Sequence, residues 1–455
     1  MPARKASGLW CRRLAGLQRR PQQRFPLREL GKVLRNPLGR RRLVVQLVHR
    51  CWPAIFRLAA LCRRTLLYRP FFVAVVGSYG KTTATRVITH VLGRELHHRA
   101  AANGIGRVPY AVLRARPWDA AAVVEVGIDC QGQMAAIAEM MQPDCAVVMS
   151  VGIEHHSSFG SLQVTRDEKA DMVRVLPASG LAVLNGDDPN VLWMAGETRA
   201  RVVTFGFGED SQVRASDAEL DWPLGMRFHL HAGGQVCDAR IQLLGRHMIY
   251  PALAAVAVGL DRGVPLDLVL ARLASITPSP GRLSVHKLAS GAFVLRDDAK
   301  SALETVHAAL DVLEEVPAGR KIAVMGPMTE PPPHSRQFYR DLAARLAGIA
   351  GLVVCVDSYR NYGPGLRKAG MSHDAIVDAG ADLGETIGLL RETLGPGDVV
   401  LLKGRGRQKL ERVAMALDGR QVGCTTAYCP ARSAHCPICP MLEKGWTGCR
   451  PVACP

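Results

Sequence analysis

Aromatic residues are scarce in this chain. Phe, Trp and Tyr make up 5 % of its 455 residues, whereas proteins that grip nucleic-acid strands depend on rings for stacking. The 48 % of apolar residues suits Ala-, Leu- and Val-rich α/β packing. Acids are scarce in one place only. Residues 1–70 hold 18 Lys and Arg against the single acid Glu29, so the net charge of +18 belongs to this leader and the other 385 residues are nearly neutral. A long unbroken apolar run is missing as well. The stretch LVVQLVHRCWPAIFRLAALC, residues 43–62, is interrupted by His49, Arg50, Pro53 and Arg57. A spanning helix would bury those arginines at a cost of about 2.5–3.5 kcal/mol each. Two other readings fit: a helix in the headgroup layer, snorkelling its arginines among anionic lipids, or a solvated basic tail with one core helix. No small-residue cleavage site follows a short apolar core, which argues against a secretory signal. Internal repeats and low-complexity tracts are absent too.

Metal-like cysteine spacing is lacking over most of the chain. Seven of the 13 cysteines are scattered through residues 1–355 and read as reduced, mostly buried thiols of a cytosolic protein. The other six, Cys424, Cys429, Cys436, Cys439, Cys449 and Cys454, fall in the last 32 residues. The C-x-x-C at Cys436 and Cys439, with Cys429 before it and Cys449 and Cys454 after it, reads either as a small structural Zn²⁺ site or as redox-labile surface thiols.

The length admits two or three domains. After the leader (1–70), short Gly-bounded apolar runs alternate with helical patterns: FFVAVVG, AAVVEVG, CAVVMSVG, GLAVLNGDD, RVVTFGFG, then the Ala-rich PALAAVAVGLDRG. Such runs suit a mostly parallel sheet covered on both faces, and they define a central domain over 71–277. TPSPGR breaks the pattern. It restarts as FVLRDD, a helix from about Ser301, KIAVMG, another helix, GLVVCVD and DVVLLKG, a smaller Rossmann-like α/β domain over 278–420. A Cys-rich tail, 421–455, follows.

The chemistry begins where the first strand runs into Gly77-Ser78-Tyr79-Gly80-Lys81-Thr82-Thr83 and then a helical segment. The long phosphate loop, G-x-x-x-x-G-K-[ST], has a glycine where Val75 stands here, so this is a shorter form. Its physics is retained: glycines let backbone N–H groups approach an anion, the helix N-terminus favours negative charge, and Lys81 and Thr82 can serve phosphate and Mg²⁺. Glu125, at the end of a later strand, is a fair Mg²⁺ ligand. Taken singly, His155 in a loop reads as structural, and Lys169 in an acidic helix as an ion-pair partner.

The order of these motifs carries more than any one of them. The loop, then VVEVG, then GIEHHSSFGS, then Lys169 eight residues past Ser161, then GLAVLNGDDP resemble the central domain of the Mur ligase family. The resemblance is strongest to the members that add D-alanyl-D-alanine to a muramoyl tripeptide, and it continues through GRHMIYPALAA, PGRLSV, LRDDAKSALETVHAAL, KIAVMGPMTE and LLKGRGR. It implies a P-loop ATPase domain joined to a Rossmann-like domain, and ATP-driven amide formation through an acyl phosphate in the cytoplasm. By the same resemblance Lys81 and the loop from Gly77 to Thr83 hold ATP phosphates. Thr82 and Glu125 bind Mg²⁺, His155 a second metal, and Lys169 carries a carbamate that acts as a metal ligand. Asn185 faces adenine, Arg282 the phosphates, and Asp298 the nucleotide from the second domain.

The chain departs from the pattern at four places. Arginine-rich sequence stands where a UDP-sugar domain is expected. Met248 and Pro251 replace two asparagines, Lys300 gives a D-D-A-K turn, and only Glu330 remains of an acidic pair. The carboxylate substrate is therefore expected to be a peptidoglycan precursor or a lipid-linked or secondary-metabolite acid, with the leader as a peripheral membrane contact. A non-catalytic nucleotide-binding docking protein is the rival from another class.

Overall fold

The structure is a computed structural model that describes residues 51–93, 104–152, 159–329, 331, 335–429, 436–439 and 441–443. His155, Glu330, Cys449, Cys454 and the leader up to residue 50 lie outside the described residues.

A first helix, α1 (Trp52–Thr65), precedes β1 (Phe71–Val76), the phosphate-loop segment and α2 (Lys81–Val91). There follow α3 (Val108–Val112), β2 (Ala121–Glu125), α4 (Gln133–Met141), β3 (Cys145–Val148), α5 (Leu162–Arg174), β4 (Leu181–Asn185) and β5 (Arg201–Gly206). Strands β6 (Val213–Asp221), β7 (Gly225–Ala232) and β8 (Gln235–Ile241) then lead to α6 (Ile249–Asp261). The eight strands form one sheet in the order β2-β1-β3-β4-β5-β6-β7-β8. Pairing is parallel from β2 through β6 and antiparallel in the β6-β7-β8 meander.

Alternation along β1 explains why the sheet is covered twice. Val73 and Val75 enter one core with Ala84, Val87 and Ile88 of α2 and the Ala-rich face of α6. Phe72, Ala74 and Val76 enter the other with Trp52 and Phe56 of α1, Ile137 of α4 and Val173 of α5. Burying each of these larger side chains contributes about 1.5–3 kcal/mol. Helix α1 is thus a core helix of the body. Arg63, 7 % exposed, fixes its last turn by donating to the carbonyls of Met141, Leu67 and Gln142 and to Asp144, with its guanidinium 4.4 Å from the Phe72 ring centroid. No helix of the described residues is long and apolar enough to cross a membrane.

The second sheet orders β13 (Ile376–Asp378), β12 (Leu352–Cys355), β11 (Lys321–Met325), β14 (Val399–Lys403), β10 (Phe293–Asp297) and β9 (Ser284–Lys287), all parallel except β9. Helix α7 (Leu303–Glu315) follows β10, two residues later than the sequence pattern indicates. The two units share one apolar cluster in which Leu244 and Ile249 meet Val306 and Leu310. The C-terminal ends of β1, β2, β3 and β4 open toward that joint, where strand order reverses around β1 and ligands of such sheets bind.

Candidate active site

The phosphate loop is shaped by two glycines. Gly77 has φ +151°, and a Cβ there would stand 3.0 Å from the Met149 Cβ; Gly80 is left-handed at φ +78° and starts α2. A side chain is disfavoured at both. The segment after β3 braces the loop. The Ser78 amide donates to the Ser150 carbonyl at 2.9 Å, the Tyr79 amide to Ser150 Oγ at 2.9 Å, and the Gly152 amide to Ser78 Oγ at 2.8 Å. Two loop amides are therefore occupied by Ser150. The amides of Lys81, Thr82 and Thr83, in the first turn of α2, are the ones a helix leaves for an anion, since its first internal bond runs from Ala84 N to Gly80 O. Lys81 Nζ donates to the carbonyls of Gly77 and Ser78.

Cationic groups from both domains converge here. Arg282 donates to Thr82 Oγ1 at 3.3 Å across the domain joint, and Arg86 of α2 bonds Ser279. Burial lowers the Arg86 pKa and the nearby Arg282 charge lowers it further. Thr82 Oγ1 in turn donates to Glu125 Oε1 at 3.1 Å, and Glu125 is 2 % exposed. A hydroxyl and a buried carboxylate beside a phosphate loop are oxygen donors of the kind Mg²⁺ takes, so these residues fit that ion. Lys169 is also buried, on the face of α5 that packs toward the core shared with α4.

A cavity of about 310 Å³ opens beside the loop. Of the residues expected at the nucleotide, Tyr79, Gly80, Thr83, Asn185 and Arg282 line it. Asn185 donates to the Met149 carbonyl at 2.9 Å and accepts from the Asp187 amide. Met248 and Pro251 form its apolar wall. Sequence reasoning missed Asp187, Tyr250, Asp297 and Thr305, which also line it. Tyr250 donates to Asp187 Oδ2 at 2.9 Å, while the amides of Phe207 and Gly208 donate to the same carboxylate. Burial and this bond raise the Tyr250 pKa.

Asp298 is not among the lining residues. Its carboxylate takes Arg296 at 3.2 Å on both oxygens, and Arg296 also reaches Glu411 at 3.5 Å. Burial raises the Asp298 pKa against that neighbour. Its predecessor Asp297 faces the cavity and pairs with the fully buried Lys403, which also donates to Lys300 O at 2.9 Å and Thr305 Oγ1 at 3.1 Å. The segment after β10 is thereby pinned.

The cysteine tail docks on this second domain. The Cys436 amide donates to Glu411 Oε1 at 3.0 Å, and Arg412 bonds the carbonyls of Cys424 and Thr426 at 2.7 Å each. Cys436 is buried, and burial with the Glu411 charge raises its thiol pKa, unlike a labile surface thiol. No group of three or more His, Cys, Asp or Glu that could hold a metal occurs among the described residues.

The Mur ligase middle domain matches residues 75–259, and the Mur ligase, glutamate ligase domain matches residues 281–406. Over 375 residues the chain is 33 % identical to the UDP-N-acetylmuramoyl-tripeptide--D-alanyl-D-alanine ligase of Mycobacterium tuberculosis, covering 76 % of this chain and 72 % of that one. The chain belongs to the Mur ligase family. It is therefore an ATP-dependent acid–amino-acid ligase. A crystal structure of MurF from Acinetobacter baumannii superposes with a TM-score of 0.72 at 25 % identity, over 81 % of this chain and 80 % of that one. MurF from Thermotoga maritima, crystallised with ADP, shares the fold with a TM-score of 0.68 at 21 % identity, over 80 % and 83 % of the two chains.

Proposed function

We propose that this Mur ligase joins the terminal carboxylate of a UDP-linked muramoyl peptide to the amine of a D-alanyl-D-alanine-type dipeptide, in the cytoplasm. The relatives' printed activities support the substrates. The observation that carries the chemistry is the bond from Arg282 of one domain to Thr82 of the other, beside a cavity that both domains line. Lys81, Arg282 and the first-turn amides of α2 hold the ATP phosphates and steady the charge that accumulates as the γ-phosphoryl passes to the substrate carboxylate. Bond formation between carboxylate oxygen and phosphorus releases ADP. The amine then attacks the acyl carbon, phosphate leaves with the bonding pair, and the amine loses its proton. Enclosure between two domains limits water's access to the hydrolysable acyl phosphate. Thr82 and Glu125 would hold Mg²⁺, with His155 and a carbamylated Lys169 as the further ligands that the family resemblance implies; bound there, the ions neutralise phosphate charge.

A lipid-linked or secondary-metabolite carboxylate is the second reading, favoured by the arginine-rich sequence before β1. One experiment separates the two: ADP and phosphate release with UDP-muramoyl tripeptide or lipid-linked acids, each with and without D-alanyl-D-alanine. Release that needs the UDP-linked tripeptide and the dipeptide together is the expected result. Release only with a lipid-linked acid would replace the first substrate.

A further inference from the structure

We propose that the edge of the first sheet opposite the nucleotide cavity is a docking surface for an anionic lipid bilayer. The inference goes beyond the ligase reading and does not depend on it.

Helix α1 has two faces. Trp52, Phe56, Ala59 and Arg63 point into the core, whereas Arg57, Leu58, Leu61 and Arg64 point outward. Leu61 is 59 % exposed, and the chain leaving the helix adds Leu66 at 57 % and Tyr68 at 66 %. Trp118, 75 % exposed, belongs to the same edge. Phe71 pairs with Ala121 in parallel strands, so Tyr68 and Trp118, each three residues upstream, leave the sheet side by side. Arginines accompany these groups: Arg69 lies 6.0 Å from the Tyr68 ring centroid and Arg116 5.9 Å from that of Trp118. Arg57, Arg64 and Arg114 are exposed as well. Residues 51–70 contain no acid, and the nearby Asp119 carboxylate accepts from the Arg116 amide.

Exposed Leu, Tyr and Trp interleaved with arginine are the composition of a surface that sinks its apolar groups to headgroup depth while its cations meet anionic lipid. A second copy of this chain would set arginine against arginine in a two-fold contact. Nucleic acid would satisfy the charge but offers no apolar layer for the leucines. The fourteen Lys and Arg of residues 1–50, against Glu29 alone, carry the same sign up to α1. One consequence concerns orientation. The six residues of β1 span about 20 Å at ~3.3 Å each, so the phosphate loop at the far end stands clear of the bilayer. Substrates would reach it from water.

The test uses the full-length protein in flotation assays. The vesicles are pure phosphatidylcholine or phosphatidylcholine with one third phosphatidylglycerol. The triple variant Leu61→Gln, Tyr68→Gln, Trp118→Gln keeps every arginine, so any loss reports the apolar contact. The parent should float with the anionic vesicles only, and the variant should partition ~10-fold more weakly while binding ATP as the parent does. Should the triple variant not fold, Trp118→Gln alone is expected to weaken partition about threefold. Variants that bind as well as the parent would overturn the proposal, leaving residues 1–50 to bind lipid unaided or to cover this edge. So would a parent that ignores anionic vesicles, that binds neutral ones equally, or that binds only duplex DNA.

Discussion

The two ends of the interdomain cavity are built in different ways. At the phosphate end, seven consecutive residues, Gly77 to Thr83, make the loop and the first turn of α2, and Ser150 braces them. Away from the loop, the wall comes from Asn185, Asp187, Met248 and Tyr250, gathered from a strand end, a loop and a helix start. On the proposed reading, the phosphate end would meet charge that grows during reaction, so its contacts would act on turnover. The other wall would then meet parts of the nucleotide that do not react, and its contacts would act on binding alike in ground and transition state.

The largest effect that this contrast leads us to expect is at Lys169. Its side chain is buried on α5. A carbamate at that position would convert it into an oxygen ligand for a hard cation. Lys169→Ala is expected to remove ligation to below detection while the fold persists, and a short carboxylate in solution should restore part of the rate by filling the vacated volume. The measurement is phosphate release with both substrates, with added bicarbonate as the control that should not rescue. Full activity in this variant would make Lys169 an ion-pair partner and nothing more.

Next comes Lys81. One electrostatic donor to developing charge is typically worth ~10²–10³ in rate, so Lys81→Ala should lower kcat by about that factor. Single-turnover ADP formation checks it. A rate within a few-fold of the parent would move the charge stabilisation to Arg282 and the α2 amides.

The same contrast separates what was legible in the sequence from what was not. Loop residues lie next to one another in the chain, so their spacing is visible without a fold. The parallel strands were legible because a strand covered on both faces is apolar throughout, as in FFVAVV. The β6-β7-β8 meander was passed over, although GMRFHLHA alternates buried and exposed side chains, a period-two pattern that was there to be counted. Asp187 and Tyr250 were invisible for another reason. They are 63 residues apart and meet only because β4 ends and α6 begins at one mouth. Asp297 and Asp298 are adjacent, and no local rule says which turns to the cavity; the side taken by Arg296 decides it.

A smaller effect is expected at the far end. Tyr250→Phe removes one hydrogen bond to Asp187 and leaves that carboxylate its two amide donors. A single such bond contributes about 0.5–1.5 kcal/mol, so the KM for ATP should rise between about 2- and 10-fold with kcat unchanged. Initial rates at varied ATP give both constants. A fall in kcat with KM constant would erase the distinction between the ends.

The smallest effect is on stability and falls at the joint itself. Burial lowers the His247 pKa from its ordinary 6.5, with the Lys403 charge in the same direction and the Asp297 and Asp311 carboxylates opposing. His90 and His307 are lowered by burial too. In each case the unfolded chain takes up a proton at higher pH than the folded chain does. Stability is then complete above about pH 6.5 and declines as pH falls through that value toward the lowered ones. Glu168 and Asp298, whose pKa values burial raises, work the opposite way: they gain protons on folding, and the stability they contribute is lost as pH rises through their folded values. Their window begins near the ordinary carboxylate range, so the histidine sign should prevail from neutral pH to about pH 6. Thermal melts across that interval should show a falling midpoint, and His247→Gln should flatten the slope by removing one of the protons taken up. A midpoint that rises on acidification would mean that the carboxylates dominate there and that the joint is held by a charge Asp298 cannot easily carry.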